Sequence, residues 1–170
     1  MIINPQVAVR SGIVIGVEKP DEQIQPNGID VRLDRVMLVH VMAELRCEGK
    51  KPIEMEPLAP DPDGFYNLRP FGPYHFMCLE SIKLPVDMAA TIHGRSTLNR
   101  TNILCASGLY DSGFDNRIGF AVYPFNHVRI ERGARVAQVV LWEAKSASLY
   151  RGEYQDGGRC ADQFSSSSKD

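Results

Sequence analysis

Short apolar segments separated by turn-forming residues constrain the fold of this chain more than any other feature. They recur at residues 74–79, 88–93, 117–123, 128–130 and 136–141. Each is strand-length, and Gly, Pro, Asn or Asp residues lie between them. This rhythm is typical of an all-β barrel or sandwich and disfavours an alternation of strands and helices.

Residues 24–33 give the clearest prediction of a turn followed by a strand. A Pro26-Asn27-Gly28 turn precedes an alternating Ile-Asp-Val-Arg-Leu run, in which Asp30 and Arg32 share one face of a strand. The residues alone favour a half-buried strand whose charged face is solvated. The apolar run at 36–45 fits a helix or a strand equally well, so its type stays open.

The length of 170 residues predicts one domain, 1–170, with a hydrophobic core large enough to be stable without disulfide bonds or a structural metal ion. Residues 48–73 are rich in Pro, Gly, Asp and Lys and predict an irregular surface excursion. Residues 150–170 are polar and include a run of serines, which predicts a flexible C-terminal arm.

Charge and cysteine usage narrow the class of partner. A net charge of -2 gives no global attraction to nucleic acid or to an anionic membrane, so any phosphate binding must be local. We therefore expect the protein to bind neither nucleic acid nor a membrane.

The cysteines form no C-x-x-C pair, which favours free thiols in a reducing cytosol. The chain start lacks a signal-like apolar region, and no apolar run is long enough to span a bilayer. We expect a soluble, cytoplasmic protein. The four cysteines are Cys47, Cys78, Cys105 and Cys160.

The stretch 93–114 carries the residues best suited to chemistry. Arg95 and Arg100 flank the hydroxyl pair Ser96 and Thr97, and an acidic turn at Asp111 follows. Arginine forks and main-chain N–H groups hold phosphate oxygens, while a carboxylate can orient a water or a sugar hydroxyl. The combination suits a nucleoside triphosphate. Either half alone is more often a surface turn.

Four motifs in sequence resemble those of the dUTPase and dCTP deaminase family. They are Gln-Pro-Asn-Gly-Ile-Asp-Val-Arg-Leu at 25–33, Gly-Arg-Ser-Thr-Leu-Asn-Arg at 94–100, Gly-Leu-Tyr-Asp-Ser-Gly-Phe at 108–114 and Gly-Ala-Arg-Val-Ala-Gln-Val-Val at 133–140. The resemblance implies a distorted jelly-roll-like β-barrel with short helices. It also implies a homotrimer with active sites shared between subunits, acting on deoxypyrimidine triphosphates.

The resemblance leaves the choice of reaction to one position. In the deaminase branch a glutamate on the strand after the third motif relays protons at the cytosine ring, and the matching residue here is Ala121. Residues 117–125 contain no acid, and deamination needs a group that moves protons. The favoured activity is therefore dUTP diphosphatase. A dCTP deaminase or bifunctional enzyme is the alternative, and a catalytically silent nucleotide-binding or regulatory member is the third.

The resemblance also implies roles for individual residues. Asp111 would orient the attacking water, with Ser96 and Arg100 in the catalytic set. Asp30 would hold Mg2+ through water. Taken alone, Phe114 is more typical of core packing, and Gln138 fits either a cross-strand partner or a ligand contact. The implied substrate contacts are Arg95, Ser96, Thr97, Ser107, Gly108, Leu109, Phe114 and Gln138.

The C-terminal residues give a mixed signal. Arg159 and Phe164, followed by a serine pair, match the spacing of a diphosphatase arm that closes over its ligand, although the arm's glycines are absent. Residues 152–155 resemble a deaminase tail instead. On this basis Tyr154, Arg159 and Phe164 are predicted substrate contacts.

Overall fold

The computed structural model describes residues 1–39, 44–48, 54–152 and 154–155. The strands and helices it contains are short, apart from four strands of nine residues or more. The helices are α1 (Pro5–Arg10), α2 (Pro20–Gln23) and α3 (Ser96–Arg100). The strands are β1 (Val14–Ile15), β2 (Ile24–Gln25), β3 (Gly28–Val39), β4 (Met55–Pro57), β5 (Phe65–Leu68), β6 (Tyr74–Lys83), β7 (Met88–Gly94), β8 (Ile103–Cys105), β9 (Gly108–Tyr110), β10 (Asp115–Pro124), β11 (Val128–Glu131) and β12 (Arg135–Glu143).

Antiparallel pairing builds one large sheet in the order β8-β10-β6-β3-β12-β7-β9. Its two outermost strands, β8 and β9, are joined by only Ala106 and Ser107, so the sheet must curl until its ends meet. The Ala106 N–H donates to the Ala121 carbonyl at 2.9 Å, and the Ser107 hydroxyl donates to the Ile92 carbonyl at 2.8 Å. These bonds tie the junction to both sides of the curl. The prediction of an all-β, barrel-like fold is confirmed.

The predicted turn at Pro26-Asn27-Gly28 is present as a β2–β3 hairpin, in which Ile24 pairs with Ile29 and Gln25 with Gly28. The apolar face of β3 is fully buried, as alternation predicted. The prediction of a solvated charged face is wrong, because Asp30 is only 1% exposed and Arg32 only 8%. Both acquire partners from segments far along the chain.

Glu80 on β6 is the partner that buries Arg32. Its carboxylate is fully buried and accepts from the Arg32 main-chain N–H and from Arg32 Nε, each at 2.7 Å. The Gln23 side chain donates to Glu80 at 2.8 Å and to the Asp30 carbonyl at 3.0 Å. Because every member is hydrogen-bonded, the charges can be buried without a large penalty. The network fixes the position of β3 beneath Asp30.

The remaining sequence predictions have mixed outcomes. The run at 36–45 begins as strand, since β3 continues to Val39, but residues 40–43 lie outside the described part of the chain. The 48–73 excursion contains β4 and β5, and residues 49–53 within it are likewise not described. Cys47, Cys78 and Cys105 are free thiols, whereas Cys160 lies outside the described residues. No helix in the described residues is long and apolar enough to cross a bilayer.

Candidate functional site

A cluster of one carboxylate, two guanidinium groups and one amide lies where β3, β7 and β12 run side by side. Asp30 pairs with Gln138 in the strand register. Oδ2 of Asp30 lies 3.0 Å from Arg95 Nε and 3.5 Å from Arg135 Nη1, and Gln138 Nε2 donates to Oδ1 at 3.2 Å. We call these four residues the Asp30 cluster. It brings together three of the predicted site residues and adds Arg135.

Burial and charge act in opposite directions on Asp30. Burial raises the pKa of its carboxyl, against the lowering influence of Arg95, Gln138 and Arg135. The Asp30 side chain is only 2% exposed, whereas those of Arg95 and Arg135 are 29% and 31% exposed. The carboxylate therefore holds the two guanidinium groups from below and leaves part of each open to an anion.

Short helix α3 follows Arg95 and presents the other residues of the second motif. Ser96, Thr97 and Arg100 are all exposed. The Arg95 N–H donates to the Val136 carbonyl at 3.0 Å, which fixes the start of α3 against β12. The predicted hydroxyl and guanidinium groups thus lie on the surface next to the Asp30 cluster.

Asp111 stands in a tight turn between β9 and β10. The Phe114 N–H donates to the Asp111 carbonyl at 3.0 Å, and Gly113 supplies the positive φ of 84° that the turn requires. Asp111 is exposed, and no described side chain is placed within hydrogen-bonding distance of its carboxylate. The carboxylate is therefore available to a water or a ligand.

Phe114 points into the protein. It is 7% exposed, with its ring 5.0 Å from that of Tyr110 and 5.5 Å from that of Tyr150. Core packing, the interpretation that Phe114 favours when taken alone, describes this arrangement. A contact of Phe114 with a ligand sugar stays a prediction.

The predicted base-reading hairpin lies at the edge of the sheet. Gly108 and Leu109 belong to β9, where Gly108 pairs with Ile92 of β7. Leu109 is 67% exposed, and the Ser107 hydroxyl is engaged by the Ile92 carbonyl. The exposed side of this edge strand leaves main-chain groups open, which is the kind of donor and acceptor set that the predicted role requires.

Within one chain the acidic turn and the Asp30 cluster lie at opposite ends of β7. Tyr110 pairs with Ala90, so Asp111 follows at the level of Ala89, whereas Arg95 follows Gly94 at the other end. The six residue steps from Ala89 to Arg95 correspond to about 20 Å at the rise of an extended strand. The two halves of the predicted site therefore cannot act on one phosphate group within a single chain.

Comparison with known proteins identifies the family. A family model described as dCTP deaminase-like matches residues 5–144. The chain belongs to the dCTP deaminase-like family.

Curated members of the family carry two kinds of name. The chain is 32% identical over 141 residues to a probable deoxyuridine 5'-triphosphate nucleotidohydrolase of Halobacterium salinarum, covering 79% of this chain and 84% of the relative. A protein of the same name in Methanopyrus kandleri is 34% identical over 139 residues, covering 79% and 88%. A dCTP deaminase, dUMP-forming, of Sulfurihydrogenibium sp. is 31% identical over 143 residues, covering 79% of each chain.

A solved structure of similar fold confirms the expected barrel type. The 2'-deoxycytidine 5'-triphosphate deaminase of Agrobacterium tumefaciens superposes with a TM-score of 0.65 at 18% identity, covering 82% of this chain. This chain spans about half of that one, 47% of its length. At this identity the likeness concerns the fold alone.

Ala121, the residue predicted to decide between the two reactions, lies on β10 opposite a histidine of β6. In the β6–β10 register Ala121 pairs with His75, whose pKa burial lowers to about 4. Neither member of this pair is a carboxylic acid. The three buried acids among the described residues are all bound by arginine: Asp30 in its cluster, Glu80 by Arg32, and Asp34 by Arg117 at 2.6 Å and Arg132 at 2.7 Å.

The described residues do not fit a protein-bound metal ion. No three His, Cys, Asp or Glu side chains in the described ranges come together in a way that could hold one. Asp30, the predicted metal contact, already accepts from Arg95, Arg135 and Gln138, and two adjacent guanidinium groups repel a cation. A contact of Asp30 with Mg2+ through water remains a prediction.

The first described residues of the predicted C-terminal arm lie against the domain. The main-chain carbonyl of Tyr154 accepts from Asn116 Nδ2 at 2.8 Å, and the Tyr154 ring is 41% exposed. Arg159 and Phe164 lie outside the described residues.

The sequence did not reveal the roles of Gln23, Glu80 and Gln155, because each of these side chains hydrogen-bonds to residues that are remote in sequence. Only the deaminase-like pattern at 152–155 pointed to this part of the tail.

Proposed function

We propose that the protein is a dUTP nucleotidohydrolase, which converts dUTP and water to dUMP and diphosphate. The observation that supports this proposal most strongly is that Ala121 pairs with the neutral His75, because deamination in this family needs an acid at the position of Ala121. Phosphoanhydride hydrolysis needs no such acid near the base. The names of the Halobacterium and Methanopyrus relatives support the same choice.

The proposed reaction uses Asp111 to orient the attacking water. The water oxygen bonds to the α-phosphorus while the bond from that phosphorus to the bridging oxygen breaks, and its electron pair leaves with diphosphate. Asp111 accepts the proton of the water. Arg95 and Arg135 face the negative charge that spreads over the phosphate oxygens, and Asp30 keeps both in place.

Recognition of the nucleoside falls to the edge hairpin and to the neighbouring residues. The main-chain groups of Ser107, Gly108 and Leu109 would read the pyrimidine edge, and Phe114 would lie under the sugar. Ser96, Thr97, Arg100 and Gln138 would bind phosphate oxygens from the side of the Asp30 cluster. Mg2+ would travel with the triphosphate oxygens, because the described residues offer no direct site for it.

The site is proposed to form between copies of the chain. Because Asp111 and Arg95 lie about 20 Å apart along β7, a single triphosphate must take them from different subunits. A homotrimer with three shared sites satisfies this requirement, and a cyclic arrangement makes all three sites equivalent. A monomer should be inactive.

A second candidate is dCTP deamination, alone or coupled to hydrolysis. The family description and the name of the Sulfurihydrogenibium relative favour it. It requires a proton relay from outside the described residues near Ala121. Release of ammonia from dCTP is the observation that would establish it.

The deciding experiment incubates purified protein with Mg2+ and either dUTP or dCTP, and measures diphosphate and ammonia separately. We expect diphosphate from dUTP and no ammonia from dCTP. Asp111→Asn should abolish diphosphate release while nucleotide affinity stays within about threefold, since the amide keeps the size of the side chain. Wild-type turnover in this variant would remove Asp111 from the reaction. Thermal stabilisation by dUTP without any product would indicate a silent, nucleotide-binding member.

A further inference from the structure

The chain after β12 returns to the turn that carries Asp111 and follows it closely. The Ala144 N–H donates to the Asp87 carbonyl at 2.8 Å. Further on, the Ser146 hydroxyl lies 2.5 Å from the Ser112 hydroxyl, and the Tyr150 N–H donates to the Ser112 carbonyl at 2.8 Å. Residues 144–152 and 154–155 therefore lie close to the 111–116 turn and are joined to it and to Asp87 by a series of polar contacts.

The Gln155 carboxamide bonds to main-chain groups on both sides of Phe114. Its Oε1 accepts from the Asp115 N–H at 2.8 Å, and its Nε2 donates to the Gly113 carbonyl at 2.8 Å. The same Nε2 is 3.3 Å from the Tyr150 carbonyl. One side chain thus satisfies a donor and an acceptor of the turn and also closes the tail on itself.

Apolar contacts support the same arrangement. The Tyr150 ring packs on Phe114, and a Cβ added to Gly113 would lie 3.2 Å from Leu149 Cβ. On its other side the turn is bonded to Leu84, which accepts from the Gly113 N–H at 3.0 Å and donates to the Phe114 carbonyl at 2.8 Å. The turn is held between Leu84 on the inside and the tail on the outside.

We infer that Gln155 is a positioning residue for Asp111. The inference rests on the proposed function, in which Asp111 orients the water. No described side chain fixes the Asp111 carboxylate, so its direction depends on the main chain of the turn, which is bonded to Asp111 through the Phe114 N–H. Releasing Gly113 and Asp115 on the outer side lets this main chain shift, and a displacement of about 1 Å can cost up to 100-fold in rate.

Two substitutions separate the hydrogen bonds from the volume of the side chain. Gln155→Met keeps the length of the side chain and removes both polar groups. Gln155→Glu keeps an acceptor for the Asp115 N–H but places a carboxylate oxygen against the Gly113 carbonyl. Gln6→Met, on the exposed surface of α1, is the matched control. We expect kcat for dUTP hydrolysis to fall about 10- to 100-fold in both Gln155 variants, with KM within about twofold, and no change in the control.

The pH profile gives a readout that a merely structural role would not move. In Gln155→Glu the introduced carboxyl can donate to the Gly113 carbonyl once it is protonated, so kcat of this variant relative to wild type should rise as the pH is lowered from 8 to about 5. The same ratio for Gln155→Met should stay flat. Amide hydrogen exchange of residues 113–116, measured without substrate, should be faster in both variants than in wild type at pH 7.

The outcomes distinguish the two proposals. If the wild-type protein releases no diphosphate from dUTP, the hydrolase proposal is wrong. If wild type is active, unchanged exchange in Gln155→Met shows that the carboxamide does not order the turn. Faster exchange with unchanged kcat shows that it does not position Asp111. Either result overturns the inference alone.

Discussion

Arg95 Nε lies 3.0 Å from Oδ2 of Asp30, in a pair formed by the second and first sequence motifs. The carboxylate is buried and the guanidinium is partly open. An arginine held in this way has lost much of its rotamer freedom before any anion arrives, which lowers the entropy cost of binding. The pair therefore acts as a preformed cationic surface.

Asp30→Asn should weaken both the fold and anion binding. The amide cannot neutralise Arg95 and Arg135, although it relieves the burial of a charge, so we expect a loss of about 1 to 3 kcal/mol in the free energy of unfolding. Urea denaturation measures this loss, and the KM for dUTP should rise. Asp63→Asn is the control, since its side chain is 80% exposed and its contact with Arg129 is 3.7 Å. Equal effects of the two substitutions would contradict the anchoring role of Asp30.

Mixing two inactive variants should restore activity. Asp111→Asn and Arg95→Gln each disable one half of the site, and a site shared between subunits can combine the intact Asp111 of one chain with the intact Arg95 of another. Random mixing in equal amounts should leave about one quarter of the sites intact. Co-refolding followed by a diphosphate assay measures the recovery. Recovery at the background level of the separate variants would place both residues in one chain's site.

His75 should make the protein less stable at acidic pH. Burial lowers its pKa to about 4 in the folded protein, against about 6.5 when unfolded, so the unfolded chain binds the extra proton first as the pH falls. The free energy of unfolding should decrease below pH 6.5 by up to about 1.4 kcal/mol per pH unit, until the pH reaches about 4.

A comparison of wild type with a His75 variant separates the effect of His75 on the pH dependence of stability from the effect of the carboxylates. Unfolding by guanidinium chloride at pH 7.5, 6 and 5 should show that the free energy of unfolding depends less steeply on pH in His75→Gln than in wild type. Gln6→Met, a substitution of an exposed and non-titrating residue, provides the control and should retain the wild-type slope. Parallel slopes for wild type and His75→Gln would show that His75 takes up its proton equally in both states.

Gly28→Ala should disturb the hairpin that begins β3. A Cβ at this position would lie 2.6 Å from Gln138 Cγ and 2.8 Å from the Val139 carbonyl oxygen, and the latter belongs to the main chain and cannot rotate away. We expect a loss of about 1 to 3 kcal/mol in the free energy of unfolding. At Gly108 the nearest atom to an added Cβ is Ile92 Cγ2 at 3.7 Å, so Gly108→Ala should be nearly neutral. Thermal unfolding of both variants tests the difference.

Local patterns in the sequence were sufficient for most of the longer strands and for the turn before β3, but not for β4 and β5 within residues 48–73. Alternation and the Pro26-Asn27-Gly28 sequence predicted β3 and the turn before it, because turn geometry and strand period depend on neighbouring residues only. The burial of Arg32 depends on Glu80, 48 residues away, and no local pattern carries that information. The same reason concealed the attachment of Gln155 to residues 113 and 115.

The candidate site could be predicted as a set of residues but not as an arrangement. Motif resemblance selected Asp30, Arg95, Asp111 and Gln138. Their division between two ends of β7 follows from strand register, which is set by pairing across the whole sheet. The orientation of Phe114 towards the core depends on Tyr150, whose return to this turn no periodicity indicates.

The two-residue junction between β8 and β9 has a consequence for local unfolding. Outer strands pair with a neighbour on one side only, and such segments tend to open first. Here the two outermost strands of the main sheet are joined by residues 106 and 107, which are hydrogen-bonded to Ala121 and Ile92. Opening of either strand must therefore disturb the other, and we expect the amides of β8 and β9 to exchange together.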